Sequence, residues 1–119
     1  MFAPWQACSV EERINRAGLA VNRRPSGVQH DFMRVEGLVF ETSRSEVQVF
    51  IYPSEAERKR DTDALDTVFV SPRGKRVYWR SPATLVTSQN MAAIILSPNP
   101  RQAERLALAL GAGLPAPPR

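Results

Sequence analysis

Residues Glu46–Tyr52 restrict the fold more than any other stretch, because they alternate at the period of a strand yet carry large apolar groups on both faces. Val47, Val49 and Ile51 fall on one side, and Gln48, Phe50 and Tyr52 on the other. A strand apolar on both sides belongs in the middle of a sheet, here covered on one side by helices. Pro53 stops it.

Partners for this strand are visible on either side in sequence. Val35–Thr42 is rich in β-branched and aromatic residues, and Ser43, Arg44 and Ser45 make a connector short enough for a hairpin. Met91–Leu96 is a continuous apolar run of strand length behind a Gln89–Asn90 turn, which suits a buried core strand. Ala83–Ser88, after Pro82, is compatible with a strand or a short helix.

Three helices are expected. Ser9 and Glu12 have the spacing of a capping box for a helix over Val10–Ala17, ended by Gly18. Ser54 and Glu57 repeat the signal for a helix reaching Leu65, whose few apolar residues place it at the surface with most of its circumference in water. The last helix follows Asn99 as cap, Pro100 at its first position and Gln102 completing the box. Ala103, Leu106, Ala107 and Leu110 form its apolar stripe before Gly111. Between the second and third helices, Thr67–Val70 and Lys75–Arg80 read as a hairpin around a type I turn at Ser71-Pro72-Arg73-Gly74. The order predicts an α+β fold: an antiparallel sheet of four to five strands with helices packed on one face. Residues 1–111 form one domain in this reading, and 112–119 a proline-rich flexible tail.

At 119 residues, 43% hydrophobic and 24% charged, the chain is sized for one core and far from the composition of a disordered protein. The formal charge of +4 is unevenly spread. From Thr67 onward seven bases (Arg73, Lys75, Arg76, Arg80, Arg101, Arg105, Arg119) face one acid, Glu104, whereas residues 46–66 hold six acids and three bases. One cysteine, Cys8, rules out an intrachain disulfide and a cysteine-rich zinc site. No stretch approaches the roughly 20 apolar residues of a membrane helix. Met1–Val10 has neither the basic nor the apolar region of a signal peptide, so the chain as given is expected to be soluble.

The segment Glu-Val-Gln-Val-Phe-Ile-Tyr-Pro at 46–53, the Ala17-Gly18 helix end and the Ser71-Pro72-Arg73-Gly74 turn resemble a group of small uncharacterised bacterial proteins, many exported or made as lipoproteins. The resemblance spans Val10 to Gly111 and implies the same fold with a cell-envelope or exported setting. Ile51 stands where that group usually has an acid, and Arg73 where it has Asp. Trp5, Gln6 and Ala7 make a poor lipobox, so Cys8 is expected to be a plain free thiol.

The residues singled out for chemistry are Arg73, Lys75, Arg76, Tyr78 and Arg80, a basic aromatic segment whose cations suit phosphates and whose rings suit unpaired bases. Strand alternation would divide them between two faces and turn one of Tyr78 and Trp79 into the core. His30 beside Asp31 reads as a solvent-exposed loop pair, because neighbours in sequence do not bring a base within reach of a nucleophile. Asp61, Asp63 and Asp66 lack the spacing, glycine and terminal glutamate of a calcium loop and read as solvated helix charges. No Gly-rich phosphate loop, His-Glu-x-x-His or Cys-x-x-Cys occurs, and no cofactor or transition metal is expected. Trp5, Phe2 and Phe32 lie outside the periodic elements and are expected to pack back on the core. The function expected is that of a non-enzymatic interaction or envelope accessory domain with a protein partner, and the alternative is polyanion or nucleic-acid binding through the basic segment.

Overall fold

A computed structural model describes residues 5–111. Phe2 and the 112–119 segment lie outside the described residues. The elements in order are α1 (Ala7–Arg16), β1 (Asn22–Arg23), β2 (Leu38–Thr42), β3 (Ser45–Ile51), α2 (Glu55–Thr62), β4 (Leu65–Asp66), β5 (Ser71–Pro72), β6 (Ala83–Ser88), β7 (Met91–Leu96) and α3 (Pro100–Gly111). Five strands form one antiparallel sheet in the order β1-β2-β3-β7-β6, and β4 pairs with β5 alone. The fold is α+β, and the segment 83–88 that was open between strand and helix is a strand.

β3 and β7 are central because neither offers a polar face to water. All six residues of β7 are buried, and β3 is buried up to Ile51, which is half-buried. Their pairing runs unbroken from Glu46 opposite Leu96 to Ile51 opposite Met91. Two-residue turns join β2 to β3 and β6 to β7; the first turn residue of each, Ser43 and Gln89, takes a φ of +53°.

Helices α1 and α3 cover one face. Val10, Ile14, Leu106 and Leu110 meet Phe40, Val47, Val49, Met91, Ala93 and Ile95 there. Trp5 closes the same core: its backbone N–H donates to Asn90 Oδ1 at 3.0 Å and its indole N–H to Ser88 Oγ at 3.2 Å. Asn90, itself buried, donates to the carbonyls of Trp5 and Tyr52. Gly18 ends the first helical segment with φ +84°, a conformation that favours glycine.

The opposite face is closed mainly by irregular chain. Met33, Leu65, Val70 and the half-buried Val28, Phe32, Val35 and Trp79 cover Phe50, Tyr52, Ala92, Ile94 and Leu96. α2 reaches this side through polar rather than apolar contacts. Its buried residues are Arg58, Asp61 and Thr62.

Several local readings shift: β2 begins at Leu38 rather than Val35, α2 ends at Thr62 with Leu65 in β4, and two caps differ. α1 starts earlier than Val10 because Gln6 is its cap and Ser9 occupies the third helical position, where Ser9 Oγ accepts from the Gln6 N–H at 3.2 Å. In α3, Asn99 Oδ1 does cap, accepting from the N–H groups of Arg101 and Gln102. Gln102 does not complete a box; its Oε1 accepts from Ser45 Oγ at 2.7 Å and fastens the helix to the sheet.

Candidate functional site

The basic segment does not form the expected hairpin. Thr67–Val70 is a turn and Lys75–Arg80 is irregular, so only Leu65–Asp66 and Ser71–Pro72 pair. The cause is local. Asp66 Oδ1 accepts from the N–H groups of Val68 and Phe69, at 2.8 and 3.1 Å, and so folds the chain back on itself before a strand can extend. Val70 follows at φ +51°, an uncommon conformation for a β-branched residue, held by complete burial of its side chain. The tight turn also moves by one residue: Lys75 N–H donates to Pro72 O at 2.9 Å, leaving Gly74 at the third position with φ +82°.

Trp79 anchors this loop from within. Its indole N–H lies 3.3 Å from Phe69 O and 3.2 Å from Val70 O, and its ring packs on the second core. With Trp79 inside, the residues around it face out. Val68, Phe69 and Tyr78 are 75%, 54% and 84% exposed. The Arg76 guanidinium lies 5.5 Å from the centre of the Phe69 ring and 5.6 Å from that of Tyr78, within cation–π range of both. Beside it, Phe69, Pro72, Gly74, Lys75 and Arg76 line an open groove of about 320 Å³.

Of the five residues singled out, the loop gathers Arg76 and Tyr78 around Phe69 and keeps Arg73 and Lys75 exposed at its tip. Among the described residues neither Arg73 nor Lys75 has an ion-pair partner. Arg80 belongs elsewhere. Its guanidinium donates to Glu46 Oε1 at 2.6 Å, at the other end of the loop.

That contact opens a polar line along the second face that was not anticipated. Glu46 Oε2 accepts from Gln48 Nε2 at 2.8 Å, and Gln48 Oε1 accepts from His30 Nε2 at 2.7 Å. His30 is therefore half-buried rather than a free loop residue, stacked on Phe32 at 4.9 Å and edge-on to Trp79 at 5.3 Å. Asp31 stays exposed. Arg24 lies 3.5 Å from Glu46 and grips Glu41 through two nitrogens, at 2.8 and 3.0 Å. This mutual hydrogen bond raises the Arg24 pKa and lowers that of Glu41. The only sequence sign of this line is that Glu46 and Gln48 interrupt an otherwise apolar face.

The three aspartates do not converge. Asp61 is buried and accepts from Tyr52 Oη and the Arg34 N–H, Asp66 caps the loop, and Asp63 is exposed at the end of α2. Among the described residues no cluster of three or more His, Cys, Asp or Glu side chains has the arrangement of a metal site. Cys8 is an exposed free thiol on α1. Among the described residues no helix is long and apolar enough to cross a membrane. The chain matches no family model, no curated protein and no solved structure.

Proposed function

We propose that the chain is a non-enzymatic interaction module whose contact surface is the loop bearing Val68, Phe69, Arg76 and Tyr78, and whose partner is a protein segment combining acidic and apolar side chains. The observation that carries this reading is Arg76 within cation–π range of two exposed rings. Exposed aromatics and arginine are the residues enriched where protein interfaces derive their binding energy. Trp79 fixes the loop from inside, so little ordering cost is left to the moment of contact. Lys75 and Arg76 line the groove, Arg73 is exposed between Pro72 and Gly74, and the groove's one acid, Asp66, is engaged with backbone N–H groups. Charge complementarity therefore favours an acidic partner. The resemblance of residues 46–53 and 71–74 to exported proteins supports a setting in the cell envelope.

The test is selection of peptides from a random display library against the unaltered chain and against a Phe69→Ser, Tyr78→Ser pair. Peptides with acidic residues flanking an aliphatic or aromatic side chain should be enriched on the first and lost on the second. Enrichment independent of Phe69 and Tyr78 would overturn the reading.

A polyanion is the second reading, favoured by the exposure of Tyr78, whose ring is a platform for an unpaired base. It has fewer cations to draw on than the sequence suggested, because Arg80 is engaged with Glu46. Sub-micromolar binding of a single-stranded oligonucleotide that persists at physiological salt, where screening acts beyond about 8 Å, and that fails when Arg73, Lys75 and Arg76 become Gln, would make it the leading one.

A further inference from the structure

The five-stranded sheet ends differently on its two sides. The β1 edge is two residues long, contains Arg23 and runs into Arg24 and Pro25. Shortness, charge and proline are the devices by which edge strands escape pairing with other chains. The β6 edge has none of them. Its six residues, Ala83-Thr84-Leu85-Val86-Thr87-Ser88, hold no charge and no proline, and their register with β7 is free of bulges.

The direction of the open backbone groups follows from the ladder. Ser97 N–H donates to Pro82 O at 3.2 Å, so Pro82 and, by alternation, Thr84, Val86 and Ser88 face β7. Ala83, Leu85 and Thr87 turn their N–H and C=O groups outward. Among the described residues no backbone hydrogen bond reaches them from that side.

We propose that the β6 edge pairs antiparallel with the β6 edge of a second copy of the chain, joining two five-stranded sheets into one. Outward groups must meet outward groups, and the one register that pairs Ala83, Leu85 and Thr87 of both copies puts the two-fold axis on Leu85. Leu85 then faces its own copy, Ala83 faces Thr87, and Thr84 faces Val86. A two-fold interface brings one surface against itself, so it tolerates no unmatched charge. Every pair in this register is neutral, and each is aliphatic or β-branched, the kinds that support cross-strand contact. An acidic peptide, the partner inferred for the Arg76 loop, finds no cation on β6 to select it. Pro82, which falls opposite Ser88 in this register, bounds the paired length to 83–87.

The experiment is sedimentation of the full chain from micromolar to millimolar concentration, with hydrogen exchange read at the Leu85 and Thr87 amides. A concentration-dependent dimer is expected, with both amides more protected as it forms. Thr87→Pro removes an outward donor at an exposed position and should weaken the dimer by about tenfold or more, with the thermal midpoint of the monomer unchanged. If that variant does not fold, exchange on the unaltered chain decides alone. A monomer at millimolar concentration, a dimer indifferent to Thr87→Pro, or protection of these amides that does not change with concentration would each overturn the proposal. Phe69→Ser should leave the dimer intact, which separates this surface from the loop.

Discussion

Tyr52 Oη donates to Asp61 Oδ2 at 2.8 Å, a buried hydrogen bond between the residue that follows β3 and the inner side of α2. The same carboxylate oxygen accepts from the Arg34 N–H at 2.8 Å, and Arg34 Nε lies 3.4 Å from the other oxygen. One acid thus gathers the sheet, a helix and the loop that covers the second core. Tyr52→Phe keeps the ring and leaves Asp61 short of a donor, so it should destabilise by about 1–3 kcal/mol in urea denaturation. No measurable change would mean that Arg34 alone satisfies the carboxylate.

Burial, reinforced by the hydrogen bond to Asp61, pushes the Tyr52 hydroxyl well above its ordinary value of 10.0. The folded chain therefore holds this proton more tightly than the unfolded chain, and the linked stability is fully present below pH 10.0 and declines as pH rises beyond it. Unfolding free energy measured across this range should fall with alkalinity in the unaltered protein. Tyr52→Phe should remove that component of the slope, and an unchanged slope would assign the alkaline loss to other groups.

Arg80 and Arg76 should separate in their effects. Arg80→Gln leaves the mostly buried Glu46 carboxylate with Gln48 and the more distant Arg24, at a cost of about 1 kcal/mol, reduced because the Arg80 side chain is itself largely exposed. Arg76→Gln should leave stability within about 0.5 kcal/mol and instead reduce binding of the peptides selected on the loop. Equal effects of both variants on peptide binding would return Arg80 to the contact surface.

Leu106 is fully buried between α3 and the sheet. Leu106→Ala should cost about 2–5 kcal/mol, depending on how far the site collapses, as read by chemical denaturation. A change below about half a kcal/mol would show that the core face of α3 is misassigned.

Asn90→Ala should be more damaging than its size suggests, because it orphans the Trp5 N–H and the carbonyls of Trp5 and Tyr52 together. Each orphaned group costs about 1–3 kcal/mol if it stays buried. Loss of near-ultraviolet signal from Trp5 at temperatures where the sheet persists would locate the damage at that seat.

What could be read in the residues was whatever depends on near neighbours. β3, β7 and α3 follow from periodicity and caps within a dozen residues, and the burial of Leu106 and Leu110 agrees with the stripe that predicted it. The loop after α2 could not be read in this way. Thr67–Val70 has strand composition, but the Asp66 carboxylate and the Trp79 indole decide its path, the latter from nine and ten residues away. α2 looked loosely attached because apolar periodicity is blind to a buried polar side, and Arg58 and Asp61 hold it instead. His30 meets Gln48 across eighteen residues, which no local pattern records. For the candidate site, Arg76 and Tyr78 were legible as chemistry, whereas Phe69 emerged only when the chain turned it outward.

β7 is the sole neighbour of β3 on one side and of β6 on the other, and its alternate residues belong to the two different cores. During synthesis, therefore, neither core can close until Met91–Leu96 has left the ribosome. The Trp5 seat waits as long, since its partner Asn90 lies 85 residues downstream. At about 5–20 residues per second, β2 and β3 spend seconds as an unsatisfied hairpin with apolar groups on both sides. The interval of greatest exposure to misassociation is thus set by where one strand sits in the order of translation, and a slow codon run placed just before Met91 should lower the yield of folded protein more than the same run placed before Leu38.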